Sequence, residues 1–272
     1  MEKNNTDRVL EKGLKGDFDL PVRAVFSEAW KNVKGIKSII FTSEIYTCLI
    51  VFLVMLVALL LAIFMGSLLG PLKDLFNFVG GLVSGAVMIC AVAFLNRTAI
   101  RKLVGKEITA RHFFKPYVYF WEALVLYVFN ILVLVPIVLL FFVFALLAVV
   151  LTGGGISIAT SFSWGHAHSN LGLWMHLVIG LDLVICYLIY SFFTTLFQLV
   201  IPVAMDKKIK VRLALRFLFK AFSKKFFSII LINFLSLLII LISVIPIGLG
   251  LIWSLPLAFS LNAVIYKRAL GI

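Results

Sequence analysis

The residue best placed to do chemistry within the apolar part of this sequence is Asp182. It stands eight positions after Trp174 in a stretch of mostly apolar residues, a distance of about 12 Å along a helix. A carboxylate at such a depth costs about 2.5 to 3.5 kcal/mol on insertion scales, so we expect it to face the interior of a bundle, a partner or water. Two interpretations are open, a functional carboxylate and a hydrogen-bonded packing residue. His176, six positions earlier, is a further intramembrane candidate.

Three other polar residues lie at similar distances from a basic residue that precedes them. Each is seven or eight positions further along the chain, about 10 Å by helical rise. The glutamates either extend back to the interface and pair with lysine or arginine, or they form a charged site or proton relay within the bundle. The pairs are Lys37 and Glu44, Lys115 and Glu122, and Lys225 and Asn233.

No catalytic, metal or cofactor motif accompanies these residues. His166 and His168 occur in WGHAHSN without the HExxH pattern or cysteine pair of a zinc site. The segment GLVSG at 81 to 85 lacks the spacing of an intramembrane serine protease, and Gly81 and Gly85 instead form a small-xxx-small face suited to close helix packing. We predict no cofactor, no metal and no enzymatic activity.

The elements that hold these residues are predicted to be transmembrane helices. Hydrophobic residues make up 63% of the 272 residues and charged residues 14%, against about 45 to 50% and about 25% in soluble domains. Several apolar stretches exceed the roughly 20 residues that cross the hydrocarbon core. We predict a segment at 1–38 with an amphipathic helix, followed by a membrane domain at 39–272 with six spans, near 45–69, 75–95, 117–151, 173–203, 226–244 and 249–266.

The distribution of lysine and arginine predicts the orientation of these spans. Of the 25 basic residues, 24 precede the first span, follow the last one or lie in the loops at 97–115 and 207–225. Lys73 is the one left for the opposite side. Because short basic loops stay in the cytoplasm, both termini are predicted to be cytoplasmic. This partition explains the net charge of +13 without a nucleic-acid partner, for which no recognition motif is present.

A cationic, amphipathic segment precedes each predicted helical hairpin: residues 21–37, 105–115 and 207–225. In the third, Val211, Ala214, Leu215, Leu218 and Phe222 lie opposite a row of basic residues spaced by four. Such a helix is predicted to lie in the cytoplasmic interface with its apolar face in the bilayer. It is either a topology signal or a binding surface for anionic headgroups. We call the basic row the basic arc: Arg212, Arg216, Lys220 and Lys224. The first segment carries a similar stripe: Val22, Phe26, Ala29, Trp30 and Val33.

Three segments resemble poorly characterised families of bacterial inner-membrane proteins. They are SEAWKNVKG at 27–35, IPVAMDKKI at 201–209 and LPLAFSLNAVIYKRALG at 255–271. The sequence is similar to the YciC-like proteins and to the membrane domain attached to some glycerophosphodiester phosphodiesterases. The resemblance implies six spans in the bacterial cytoplasmic (inner) membrane and a role in the envelope, and it transfers no catalytic residue.

Two functions of different class follow from these features. The leading one is envelope or lipid homeostasis, in which the basic segments bind anionic lipids of the cytoplasmic leaflet. The alternative is a transporter or channel for a small solute or amphiphile, with Asp182, Glu122 and Glu44 along its path. A structural subunit of a membrane complex, with a second copy or another membrane protein as partner, is a third possibility.

Overall fold

The computed structural model describes residues 18–69, 72–106, 113–151, 170–245 and 249–270. These residues form eight α-helices and one 3-10 helix, without a strand. The α-helices are α1 (Val22–Val33), α2 (Lys37–Leu69), α3 (Leu72–Leu103), α4 (Phe120–Leu151), α5 (Asn170–Lys207), α6 (Val211–Ser223), α7 (Phe226–Val244) and α8 (Leu251–Leu270), and the 3-10 helix is Lys115–Tyr119.

Five of these helices, α2, α3, α4, α5 and α7, are long and apolar enough to cross a membrane. The predicted all-helical class with several candidate spans is therefore confirmed. The helix at the sixth predicted span, α8, is not among the five. Its 20 residues correspond to about 30 Å, so its length suffices, but Asn262, Lys267 and Arg268 reduce its hydropathy. The helix α4 runs continuously through Pro136.

The candidate spans differ in how much protein surrounds them. About half of the apolar window of α3 and of α5 is buried, against 11% of the window in α2 and in α4. The helices α3 and α5 are thus central and α2 and α4 peripheral. The exposed side chains of the peripheral helices are large and apolar, for example Phe52, Leu53, Leu139 and Phe142. Water-soluble monomers rarely expose such surfaces, and hydrocarbon accommodates them.

The buried core is concentrated toward one end of the bundle. It comprises the second halves of α3 and α5, between Ala86 and Ile100 and between Ser191 and Ala204, together with most of α8. At this end Arg97 of α3 forms an ion pair with Asp206 of α5, and Gly35, just before α2, lies against Lys102 of α3. The start of α2 and the ends of α3 and α5 therefore lie together.

The helix α8 is inclined across this end of the bundle. Near its beginning, the ring of Trp253 lies 5.5 Å from Nζ of Lys37, the first residue of α2. Near its end, the hydroxyl of Tyr266 donates to Asp206, close to the end of α5, at 3.4 Å. Contacts from both parts of α8 thus reach the same end of the bundle, and α1 packs along α8.

The two amphipathic helices direct their apolar faces toward protein, so the prediction that the apolar face of α6 lies in the bilayer is wrong. In α6, Ala214, Leu218 and Phe222 of the predicted stripe are buried, and α6 packs against α5 and α7. In α1, Ala29 and Val33 are buried as part of the predicted stripe. The predicted stripe of α1 is less accurate, since Trp30 is 51% exposed while Val25 is buried. The second amphipathic segment includes residues 107–112, outside the described residues.

Small residues on α3 allow close contacts with both of its neighbours along the chain. Gly85 is buried and lies against the ring of Tyr127 on α4, and Gly80 lies against Ala58 on α2. A side chain at Gly81 would meet open space. The structure therefore places one of the two predicted glycines, Gly85, at a helix contact, and the contact with α2 involves Gly80.

Candidate functional site

Asp182 lies on α5 and is partly buried. The thiol of Cys186, one turn further on, lies 3.7 Å from Oδ1 of Asp182 and 3.8 Å from the carbonyl oxygen of Ile137 on α4. The other carboxylate oxygen is buried and has no hydrogen-bond partner among the described residues. The carboxylate therefore faces protein, but a thiol is a weak donor and supplies little of the stabilisation that a charged group needs.

The other predicted carboxylates lie on different helices. Glu44 on α2 is partly buried and Glu122 on α4 is exposed. Within the described residues neither forms an ion pair, and no described cavity is lined by either of them or by Asp182. The structure does not bring the three carboxylates together. The side chain of His176, and His166 and His168, lie outside the described residues.

Asn233, the fourth predicted polar residue, joins α7 to α5. Its amide nitrogen donates to the backbone oxygen of Ser191 at 3.2 Å and to the hydroxyl of Thr195 at 3.0 Å. Its amide oxygen lies 3.4 Å from the same hydroxyl. Both polar atoms of this side chain are therefore satisfied between helices, as polar groups inside a membrane bundle require.

A second amide cluster joins α8 to α3 and α5. The nitrogen of Asn262 donates to the amide oxygen of Asn96 at 3.1 Å and to that of Gln198 at 2.9 Å. Asn96 is fully buried, and its own nitrogen donates to the carbonyl of Val92 at 3.0 Å. The side chain of Asn262 on α8 thus forms hydrogen bonds to both α3 and α5. We call Asn96, Gln198 and Asn262 the amide cluster.

A cavity of about 190 Å³ lies between α5, α7 and α8, beside these hydrogen bonds. At about 30 Å³ for each water of liquid, it has room for roughly six waters. Its described lining contains hydroxyls and amides and no charged side chain, so it can hold water or a small uncharged polar group. Among the described residues of its lining, no nucleophile is paired with a base. The polar lining is Tyr187, Tyr190, Ser191, Thr194, Thr195, Gln198, Asn233, Ser236 and Asn262.

The sequence contains a signal for this cavity in uncharged polar residues of α5. On α5 the polar positions 187, 190, 191, 194, 195 and 198 recur every three or four residues, which places them on one face of a helix. A polar stripe inside an apolar stretch indicates a face turned toward the interior of the bundle. Of the cavity-lining residues, Asn233 is the one that the sequence analysis singled out.

Ion pairs join the N-terminal helix to the end of the chain. Glu28 of α1 accepts from Nζ of Lys267 at 2.7 Å and from the guanidinium of Arg268 at 3.2 Å. Burial alone would raise the pKa of Glu28, but the hydrogen bonds and charges of Lys267 and Arg268 outweigh it and hold the pKa below its usual range. This contact fixes α1 against α8.

Comparisons with protein-family models, with curated proteins and with solved structures found no match. The predicted resemblance to the YciC-like proteins and to the phosphodiesterase membrane domain is therefore untested. The coarse class, a helical protein with several helices suited to a membrane, rests on the fold itself.

Proposed function

We propose that this chain is a six-span, non-enzymatic protein of the bacterial inner membrane that binds anionic lipid at the cytoplasmic leaflet, in envelope or lipid homeostasis. The observation that carries the proposal is the exposure of the basic arc. While the apolar residues of α6 pack against the bundle, Arg212, Arg216 and Lys220 are exposed. A helix fixed in this way offers its cations to headgroups without the cost of ordering its backbone on binding.

The orientation is supported by the ion pairs at the end of the bundle. Glu28 pairs with Lys267 and Arg268, so α1 and the end of α8 lie on one side. Arg97 and Asp206 add the ends of α3 and α5 to that side. These are the segments that the distribution of basic residues assigns to the cytoplasm. Since the start of α2 and the end of α8 lie at the same end of the bundle, this arrangement supports an even number of crossings.

The topology is tested at Leu249, an exposed residue just before α8. In six crossings α7 ends and α8 begins outside, so Leu249→Cys in a cysteine-free variant should react with an impermeant reagent from outside only. Ser223→Cys, at the end of α6, should react from the cytoplasm only. Because Trp253, four residues after Leu249, lies near Lys37 at the end assigned to the cytoplasm, this test decides between six crossings and four. Reaction of Leu249→Cys from the cytoplasm would show that α7 and α8 enter and leave on the same side, giving four crossings.

The lipid proposal is tested by replacing the basic arc with glutamine at all four positions. Each basic residue near an anionic surface contributes about 1 kcal/mol. We expect the variant to retain fewer phosphatidylglycerol or cardiolipin molecules than the wild type in native mass spectrometry, with retained phosphatidylcholine unchanged. The apolar face of α6 is untouched, so thermal stability should change little.

The matched control keeps the charge and alters the geometry. Arg212→Lys with Arg216→Lys should retain the anionic lipids, because a headgroup attracted mainly by charge accepts either cation. Equal lipid retention by the glutamine variant and the wild type would contradict binding by the basic arc.

Transport has no comparable support among the described residues. A path lined by carboxylates requires them to converge, and Asp182, Glu122 and Glu44 line no described cavity. We therefore retain lipid binding as the proposed function.

A further inference from the structure

The cavity between α5, α7 and α8, here called the polar cavity, lies deep along a helix that is apolar enough to cross a membrane. On α5 its lining runs from Tyr187 to Gln198, 11 positions or about 17 Å by helical rise. Gln198 precedes Asp206, which pairs with Arg97 at the end of the bundle, by about 12 Å. The cavity therefore lies well inside a hydrocarbon core of about 30 Å, where lipid supplies no hydrogen bonds.

The protein itself satisfies part of this lining. The hydroxyls of Ser191 and Thr194 donate to carbonyl oxygens of their own helix. Thr195 and Asn233 form a hydrogen bond between α5 and α7. These groups connect the helices or complete their own turn, and they need no further molecule.

Other lining groups have no partner in the described part of the chain. The nitrogen of Asn262 donates to the amide oxygen of Gln198, but the oxygen of Asn262 and the nitrogen of Gln198 bond to no described residue. The hydroxyls of Tyr187 and Ser236, both in the lining, also bond to none. The free atoms of Ser236, Gln198 and Asn262 are not fully enclosed by protein, so they can reach a molecule in the cavity.

These four groups define the chemistry of a molecule that fits. The nitrogen of Gln198 donates, the oxygen of Asn262 accepts, and the hydroxyls of Tyr187 and Ser236 do both. A matching molecule must therefore donate as well as accept. No charged side chain is present in the described lining, so an ion would be buried without a counter-charge. A volume of about 190 Å³ also limits the molecule to roughly the space of six waters.

We propose that the polar cavity is a binding site, inside the membrane bundle, for small neutral molecules that carry O–H groups, with water or a short polyol as their source. Such a molecule connects Ser236 of α7 and Asn262 of α8 to the polar face of α5. The site goes beyond lipid binding and does not depend on it, because no residue of the basic arc lines the cavity.

Two leucines of α8, one helical turn apart, allow water in the cavity to be measured. Leu257 and Leu261 are both 2% exposed, but Leu261 lines the cavity and Leu257 does not. Synchrotron radiolysis produces hydroxyl radicals from water bound beside a side chain, and mass spectrometry locates the oxidised residues. In the purified full-length protein, Leu261 should be oxidised at least several-fold faster than Leu257. Equal rates would overturn the proposal.

Ala258→Phe fills the cavity while keeping all of its polar groups. Ala258 is partly buried and lies in the lining on α8. In this variant the ratio of the oxidation rates of Leu261 and Leu257 should fall toward one. The control is Leu241→Phe, which places a ring at an exposed position of α7 outside the lining and should keep the wild-type ratio.

A second variant keeps the proposal falsifiable if Ala258→Phe disturbs folding. Tyr187→Phe with Ser236→Ala removes two of the groups that hold the molecule and adds no volume. No described residue loses a hydrogen-bond partner, so thermal stability should not fall, whereas the oxidation ratio should fall at least twofold. A wild-type ratio in this variant and in Ala258→Phe would contradict a site in this cavity.

Added glycerol distinguishes the two sources of O–H groups. Sucrose at the same osmolality is the control, because it exerts the same osmotic effect and is much larger than glycerol. Radical scavenging by either solute affects Leu257 and Leu261 alike and cancels in their ratio. A lower ratio in glycerol than in sucrose, seen in the wild type and absent in Ala258→Phe, identifies a polyol site. Equal ratios in the two solutes, both well above one, identify water as the bound molecule.

Discussion

Asn262→Leu is expected to lower the free energy of unfolding by about 1 to 3 kcal/mol. The substitution removes the donor that joins Asn96 and Gln198, and a buried amide such as Asn96 that is left without its partner costs about 1 to 3 kcal/mol. Gln198 is partly buried and lines the cavity, where water can replace the lost donor. Interhelical hydrogen bonds in membranes average only about 0.6 kcal/mol. We expect more here because one side chain serves two partners and Asn96 is fully buried.

The loss can be measured by unfolding in mixed detergent micelles, with Ser243→Ala as the control. The hydroxyl of Ser243 donates to the carbonyl of Ile239 one turn earlier in α7, so its removal strands no partner on another helix. Its effect should stay within about 0.5 kcal/mol. An equally small effect of Asn262→Leu would mean that the amide cluster does not stabilise the contact between α3, α5 and α8.

A triple variant isolates the cause. Replacing both sides of a hydrogen bond by apolar groups is often nearly neutral, so adding Asn96→Leu and Gln198→Leu to Asn262→Leu should restore part of the lost stability. If the triple variant is instead less stable by the sum of the single changes, shape and packing, not unpaired amides, explain the loss.

The helices were predictable from sequence because the bilayer imposes a simple length rule. The predicted span at 226–244 coincides with α7, and α2 ends at Leu69 as predicted, with helical residues extending several positions before the predicted start. An apolar run of sufficient length admits one structure, since a helix satisfies every backbone group within itself. The hydropathy of α8 is lower because much of its surface meets other helices instead of lipid.

The polar cavity was not predicted, because no charged residue marks it in the sequence. A single carboxylate such as Asp182 is conspicuous among apolar residues, whereas serine, threonine and glutamine residues on α5 each cost little alone. They form a polar cavity only when α7 and α8 bring Asn233 and Asn262 against the same face of α5.

The environment of α6 was also not predictable from its sequence. The amphipathicity of α6 indicates that the helix has two different faces, but it does not indicate whether protein or lipid covers the apolar one.

Glu28→Lys is expected to detach α1 from the bundle. It replaces the single carboxylate between Lys267 and Arg268 with a third cation. These side chains are about 30% exposed, so the ion pairs are intermediate between exposed and buried ones. Exposed ion pairs contribute about 0.2 to 1 kcal/mol, and the disruption of a buried pair costs about 3 to 5 kcal/mol. We expect a loss of about 2 kcal/mol and faster hydrogen exchange in α1.

Charge exchange is the control for this prediction. Adding Lys267→Glu to Glu28→Lys restores one ion pair in the opposite direction, so slow hydrogen exchange in α1 should return at least in part. An exchange rate in Glu28→Lys equal to that of the wild type would show that the apolar contacts of Val25, Ala29 and Val33 hold α1 without the ion pairs.

The pH dependence of the same contact has a definite sign. Because Lys267 and Arg268 lower the pKa of Glu28 below its ordinary value of 4.5, the carboxylate stabilises the folded state above that pH and loses this effect as the pH falls through the folded-state pKa. The stability difference between the wild type and Glu28→Gln should therefore be constant from about pH 7 to 5 and shrink below about pH 4.5. A difference that grows on acidification would contradict a carboxylate stabilised by these two cations.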